Sequence, residues 1–256
     1  MNTEFQIKDE FQNIEDEVKA FIHDFDKVGE TIYKGSRNEL KAKEIHGVKL
    51  NIKRFKTPNL VNRFVYRRFR ESKAKRSFLH AQRLLENNIG TPKPIAYQEN
   101  FTSLGLLESY YVSIHEDYDF TFREIITQAN LPDREKVLKA FTAFTFKMHE
   151  NNILFLDHSP GNTLIKRKPD GEYAFFLVDL NRMLFKKMSK LERFKNFERL
   201  TTDPKLIEVI SETYAELIGE KYAVVRKQIE EFSVEFQQKY QRKKKIKRKI
   251  KFWKSY

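Results

Sequence analysis

The chain predicts an α+β protein in two lobes, a small antiparallel β-sheet with one long helix followed by a mostly helical half. Three observations predict it. Strand patterns over residues 28–34, 38–44 and 48–55 follow one another across the turns Gly35-Ser36-Arg37 and His46-Gly47, and strands so close in sequence pair antiparallel. After residue 117 the apolar positions recur at helical spacing, as in Val137, Leu138, Phe141, Phe144 and Met148. At 256 residues, with 23 Phe and 11 Tyr, the chain has enough apolar mass for a sizeable core.

Residues 1–27 alternate acids with Phe5, Phe11, Phe21 and Phe25 and predict an amphipathic helical extension. Residues 28–116 form the first lobe. On its third strand Val48, Leu50 and Ile52 face one way and Lys49, Asn51 and Lys53 the other. Residues 59–89 then predict one long basic helix with Phe64, Phe69, Phe78, Leu84 and Leu85 among its apolar positions, ending at Asn87-Asn88-Ile89-Gly90. The prolines of Thr91-Pro92-Lys93-Pro94 force extension, because each disfavours helix in the residue before it. Strands over 95–98 and 106–114 follow, and 114–117 predicts the hinge between the lobes. Residues 117–240 form the second lobe, opening with helices over 122–128 and 133–151, the latter started by Pro132-Asp133. Residues 241–256 are a basic amphipathic tail.

The chemistry is concentrated in two short runs. In Phe155-Leu-Asp-His-Ser-Pro-Gly-Asn162, Asp157 precedes Asn162 by five residues, the spacing at which a phosphoryl-transfer loop carries its base and a metal-binding amide. A turn at Lys168-Pro-Asp-Gly171 and an apolar strand over 174–178 then lead to Asp179, a carboxylate at a strand end suited to the same metal. Lys53 is the candidate phosphate-binding lysine. There is no Gly-x-Gly-x-x-Gly near the first hairpin, so Gly35, Ser36, Arg37 and Asn38 are the turn whose backbone amides meet phosphate oxygens. His149 and His158 predict packing roles, since no second ligand sits at metal-site spacing.

Composition bounds the setting. No run approaches the roughly 18 apolar residues of a membrane span, the first residues lack a signal-peptide pattern, and we expect a cytoplasmic protein. Zero cysteines exclude disulfides and thiolate metal sites. The net charge of +13 is uneven, with nine Lys and Arg and no acid from Arg242 to Tyr256. Ile246, Ile250, Phe252 and Trp253 interleave that run, a pattern that favours an anionic membrane surface over a solvated terminus and over nucleic acid. Arg63, Arg67, Arg68, Arg70, Lys73, Lys75 and Arg76 add a second cationic group on the first-lobe helix.

Taken together, Ile52-Lys-Arg-Phe55, Ser72-Lys-Ala-Lys-Arg-Ser-Phe78, Gly90-Thr-Pro-Lys-Pro-Ile95, Leu156-Asp-His-Ser-Pro-Gly-Asn162 and Leu177-Val-Asp179 resemble the lipopolysaccharide core kinase family, which includes the Kdo kinases of Gram-negative bacteria. The resemblance spans roughly residues 28–200. It implies a protein-kinase-like fold, ATP and Mg²⁺, and phosphate transfer to a core sugar hydroxyl on lipid A-linked substrate at the inner membrane. By position it implies Asp157 as catalytic base, Asn162 and Asp179 as metal ligands, and Lys53 on the α- and β-phosphates.

Three positions depart from the pattern. Phe155 replaces the usual His or Tyr two before the base, the metal turn reads Asp-Leu-Asn, and Ser77 stands where a helix Glu pairs with the lysine. Glu71, six residues earlier, faces about 120° away on a 3.6-residue helix. A phosphotransferase acting on another small molecule or on protein, and an ATP-binding pseudokinase or envelope scaffold, are the alternatives.

Overall fold

The computed structural model describes residues 2–59, 63, 65–66 and 70–253, with side chains as far as Arg248. The chain divides into two compact units, residues 1–117 with 178–181, and residues 118–177 with 182–256.

The first unit is a six-stranded antiparallel sheet in the order β1-β5-β6-β4-β3-β2. Its strands are β1 (Asn2–Ile7), β2 (Glu30–Lys34), β3 (Asn38–Ile45), β4 (Val48–Phe55), β5 (Pro94–Thr102) and β6 (Gly105–Ile114). Helix α1 (Glu15–His23) covers one face. Its Val18, Phe21 and Ile22 join Phe25, Leu50, Ile52, Ile95 and Val112 in one buried cluster. Helix α2 (Lys73–Glu86) packs on the sheet through Ala74 and Phe78, against Phe55 and Tyr97. The alternation along β4 is as the sequence predicts for Leu50 and Ile52, both fully buried, while Val48 at the strand's start is 43% exposed.

Two expectations are corrected here. Residues 2–27 are no separate helical extension: Asn2–Ile7 pairs with β5 from Asn2↔Phe101 to Ile7↔Ala96, and only then do a 3₁₀ turn and α1 follow. Phe5 and Ile7, two apart, pack against the α1 cluster, a period-two signal too short to stand out beside the longer helical pattern behind it. Buried Arg54 ties the segment down further, donating to Asp26 and to Glu39 at 2.9 Å each. The basic helix over 59–89 is likewise not one run: Arg63, Val65 and Tyr66 are helical, but residues 70–72 are not. Ser72 caps α2, accepting from the amide of Lys75, so that helix starts at Lys73. Arg70 stands in a bend before that cap, and Arg63 donates to the Leu106 carbonyl and the Thr102 hydroxyl. The expected cationic face over 63–76 is thus not one helix stripe. Phe64, Arg67, Arg68 and Phe69 lie outside the described residues.

The second unit is mostly helical. Helices α3 (Phe122–Thr127), α4 (Arg134–Glu150), α5 (Lys190–Lys195), α6 (Pro204–Ile218) and α7 (Tyr222–Trp253) enclose Phe122, Val137, Phe141, Phe197, Ile207, Tyr214 and Ile229. A three-stranded sheet orders β10 (Tyr173–Leu177), β9 (Thr163–Arg167) and β7 (Phe120–Thr121), and a two-stranded ribbon pairs β8 (Ile153–Phe155) with β11 (Met183–Phe185). Helix α7 continues through the predicted basic tail. Residues 237–248 are all exposed, and the side chains of Ile250, Phe252 and Trp253 lie outside those described. No described helix is long and apolar enough to cross a membrane.

Candidate active site

In the second unit, two asparagines set up the loop that carries Asp157. Asn151 closes α4, and Asn152 takes the left-handed conformation (φ 58°) that a polar side chain tolerates better than an apolar one. The chain reverses into β8, whose three residues are buried and register Met183↔Phe155 with β11. The ribbon continues one bond further as the Leu156 amide donates to the Arg182 carbonyl. Within the loop the Asn162 amide donates to the Ser159 carbonyl, and the Asn162 side-chain Nδ2 donates to the Asp157 carbonyl at 2.9 Å. The Oδ1 of Asn162 takes no part in that bond and is an oxygen of the kind a hard cation binds. Gly161 lies under Arg123: a Cβ there would stand 2.9 Å from the guanidinium.

The brace missing at Phe155 comes from further along the chain. Asn196 donates to the Phe155 carbonyl at 2.8 Å, and its Oδ1 lies 3.1 Å from His149 Nε2. The other His149 nitrogen meets the Tyr214 hydroxyl at 2.7 Å. His158 is fully buried among Phe141, Phe155 and Phe197, with neither ring nitrogen hydrogen-bonded among the described residues. Burial pushes the pKa of His149 down to about 4, against the pull of Asn196, and that of His158 down to about 3. Both imidazoles are neutral packing groups. Phe155 therefore closes a hydrophobic and hydrogen-bonded plug behind the loop.

Asp157 is held by arginines that no short motif marks. Arg199 reaches Asp157 Oδ1 at 2.7 Å and donates to the Leu156 carbonyl at 3.0 Å, while Arg182 stands 3.9 Å from Oδ2. Arg199 also lies over the Phe236 ring of α7, 5.2 Å from its centroid. The arrangement fixes one carboxylate oxygen and leaves the other with only a long, exposed ion pair.

In the first unit, Lys53 pairs with Asp179. Its Nζ lies 2.9 Å from Asp179 Oδ1, which also accepts from Asn181 Nδ2 at 2.6 Å. Asp179 is left-handed, φ 60°, so its carboxylate is re-aimed where the strand ends. The Asn of Asp-Leu-Asn thus supports the carboxylate itself. Ser77 is buried and donates back to the Lys73 carbonyl, a bond within its own helix. Helix α2 is instead linked to residues 178–181 by His80, one turn on, whose Nδ1 meets the Leu180 carbonyl at 2.7 Å. Burial lowers the His80 pKa, although that carbonyl opposes the shift. The sequence offered no signal for His80.

The turn at Gly35–Asn38 is built by a bond from the Gly35 amide to the Asn38 carbonyl. Ser36 and Arg37 line a cavity of about 360 Å³ with Lys56, Tyr66 and Lys73, and Lys53 is not among its lining residues. Of the sequence-predicted residues, Asp157 meets Asn162 and Lys53 meets Asp179, while the turn stands with a different set of cations.

The site residues sit on a two-lobed protein-kinase-like fold. A solved structure titled "WaaP in complex with acyl carrier protein" matches over 93% of this chain and 98% of its own, with a TM-score of 0.64 at 15% identity. No curated protein sequence matches the chain. The family model described as the lipopolysaccharide kinase (Kdo/WaaP) family matches residues 24–232, and the chain belongs to that family. It is accordingly a phosphotransferase of lipopolysaccharide synthesis, with ATP as the donor that the family implies.

Proposed function

We propose that the protein transfers the γ-phosphate of ATP to a hydroxyl of Kdo, or of an adjoining inner-core sugar, on lipid A. Asp157 accepts the proton of the attacking hydroxyl, Asn162 and Asp179 hold Mg²⁺, Lys53 contacts the α- and β-phosphates, and the turn Gly35, Ser36, Arg37 and Asn38 meets phosphate, the Gly35 amide closing the turn on the Asn38 carbonyl rather than donating to the ligand. Mg²⁺, when bound, neutralises charge on the phosphate oxygens. The observation that carries the reading is the state of Asp157, one oxygen fixed by Arg199 in a loop braced by Asn196, the other left for an acceptor hydroxyl. Oriented in this way, it is placed for general-base work.

The Lys53–Asp179 pair favours one second reading. With Ser77 in place of a helix carboxylate, the lysine is neutralised by the metal ligand itself, as suits a nucleotide-binding pseudokinase or scaffold. Mass spectrometry of Kdo-lipid A incubated with the protein, ATP and Mg²⁺ separates the two. We expect one added phosphate, absent with Asp157→Asn; ATP binding without any product from the wild type supports the scaffold.

The exposed basic stretch of α7 supports peripheral attachment to the inner membrane, where each Lys or Arg near anionic lipid contributes about 1 kcal/mol. A chain ending at Gln241 should lose co-sedimentation with phosphatidylglycerol vesicles at 0.1 M salt. Undiminished sedimentation removes the tail from the mechanism.

A further inference from the structure

Beside Arg199 the second unit holds a cavity of about 380 Å³, within the range of small-ligand sites, about 300–1,000 Å³. Its lining comes from three places: Ile126 on α3, residues 198–203 ahead of α6, and Ser233, Phe236 and Gln237 on α7. Three features single it out. Arg199 lines it while pairing with Asp157 at 2.7 Å, so whatever occupies the cavity lies one guanidinium from the base. Ser233 is 1% exposed and its hydroxyl has no hydrogen-bond partner among the described residues, and the Nε of Arg199 is likewise without one. Buried polar atoms left unpaired cost about 1–3 kcal/mol each, so both mark an unusual polar wall beside the cavity. The lining is also chemically mixed, with an apolar wall from Ile126 and Phe236 and neutral donors and acceptors from Thr201, Thr202 and Gln237.

The charges decide the class of ligand. Arg199 is offset by Glu198 and Asp203, so the cavity lacks the cationic excess that a phosphate ester needs. Burial raises the Glu198 pKa, against the neighbouring Lys195, Arg199 and Lys239. Asp203 is already engaged in capping α6 through the Lys205 amide. An apolar wall facing hydroxyl, amide and carboxyl groups matches a polyhydroxylated ring, whose C–H faces pack while its hydroxyls exchange hydrogen bonds.

We propose that this cavity is a sugar subsite beside the acceptor, and that it binds a neighbouring inner-core ring that is not itself phosphorylated, with Arg199 lying between that ring and Asp157. The proposal rests on the sugar-kinase reading above and adds where the ring next to the acceptor is held. Arg199 is a positioning residue, since it touches the base and the ring rather than the transferred phosphate.

The test uses two exposed lining positions, Thr202→Trp and Gln237→Trp, each of which fills the cavity from its rim. Saturation-transfer NMR is recorded on the full chain with deacylated Kdo-containing core oligosaccharide and no ATP. Wild type should show ring-proton saturation, and each folded variant should lose it at least tenfold; thermal melts identify any variant that does not fold, and the other then carries the comparison. In turnover assays the acceptor KM should rise about tenfold with ATP KM within twofold. Absent saturation in wild type, or saturation unchanged in a folded variant, overturns the subsite. Saturation without turnover in wild type overturns the kinase reading and leaves the subsite standing.

Discussion

Asp157 and Asp179, the two carboxylates singled out by the sequence, are held in opposite ways. Asp157 takes its cation, Arg199, from 42 residues downstream and its loop brace from Asn196. Asp179 takes a lysine from 126 residues upstream on β4 and a support, Asn181, from two residues away. The loop around Asp157 is rigidified from behind by a buried aromatic plug. Asp179 instead uses its own left-handed backbone and the Lys53 cation. The difference teaches that the Asp157 loop is held within its own unit, and on the proposed function it predicts that Asp179 exchanges Lys53 for metal when nucleotide binds.

That contrast is open to test, beginning with the largest effect. Asp157→Asn should lower kcat by about 10²–10⁴-fold, the usual span of general-base catalysis, with ATP affinity within threefold of wild type. Asp179→Asn should lower kcat comparably and also weaken Mg·ATP binding at least tenfold. Equal ATP affinity in the two variants, measured by calorimetry, would erase the distinction.

A smaller effect is expected from the brace. Asn196→Ala leaves the Phe155 carbonyl and His149 Nε2 without that partner, which costs about 1–3 kcal/mol of stability. We expect a lower melting temperature and a kcat reduced about tenfold with ATP KM unchanged. A brace that matters only to stability would leave kcat untouched at a temperature well below the melt.

The smallest effect at neutral pH, and the most diagnostic, concerns His158. Its folded pKa of about 3, like the value of about 4 for His149, lies below the ordinary 6.5. The unfolded chain therefore binds protons that the folded one refuses, and stability falls as pH drops below about 6.5, by about 1.4 kcal/mol per pH unit for each histidine until its folded pKa is reached. His158→Phe suits a ring that makes no hydrogen bond. It should leave the pH 7.5 melting temperature unchanged or higher and flatten the decline between pH 6.5 and 4.5. An unchanged slope would take His158 out of that balance.

Legibility divided along similar lines. The strand at 48–55 and the ends of α2 and α4 near Asn87 and Asn151 were readable because alternation, helical spacing and asparagine breakers are local signals. The link between Asn162 and the Asp157 carbonyl joins residues five apart, a local spacing that the sequence displays. Residues 2–7 were misread because a strand at a sheet edge is defined by its partner, β5, which lies far along the chain, from Asn2↔Phe101 to Ile7↔Ala96. Arg199, Asn196 and His80 were missed for the same reason: each acts on a backbone carbonyl or carboxylate brought to it by folding, and nothing in its neighbouring residues announces it.

By itself, then, the sequence determined the α+β division, the order of loop, hairpin and strand-end aspartate, and the lipopolysaccharide kinase family to which these belong. Those features depend on residue type and spacing along a covalent chain. Only the tertiary structure decided that Lys53 answers to Asp179 while Ser77 turns back on its own helix, that Asp157 is held by Arg199, and that a cavity of about 380 Å³ opens beside that arginine. Ion pairs and cavities form between side chains whose separation is set by packing, and packing follows the whole fold rather than any local run of residues.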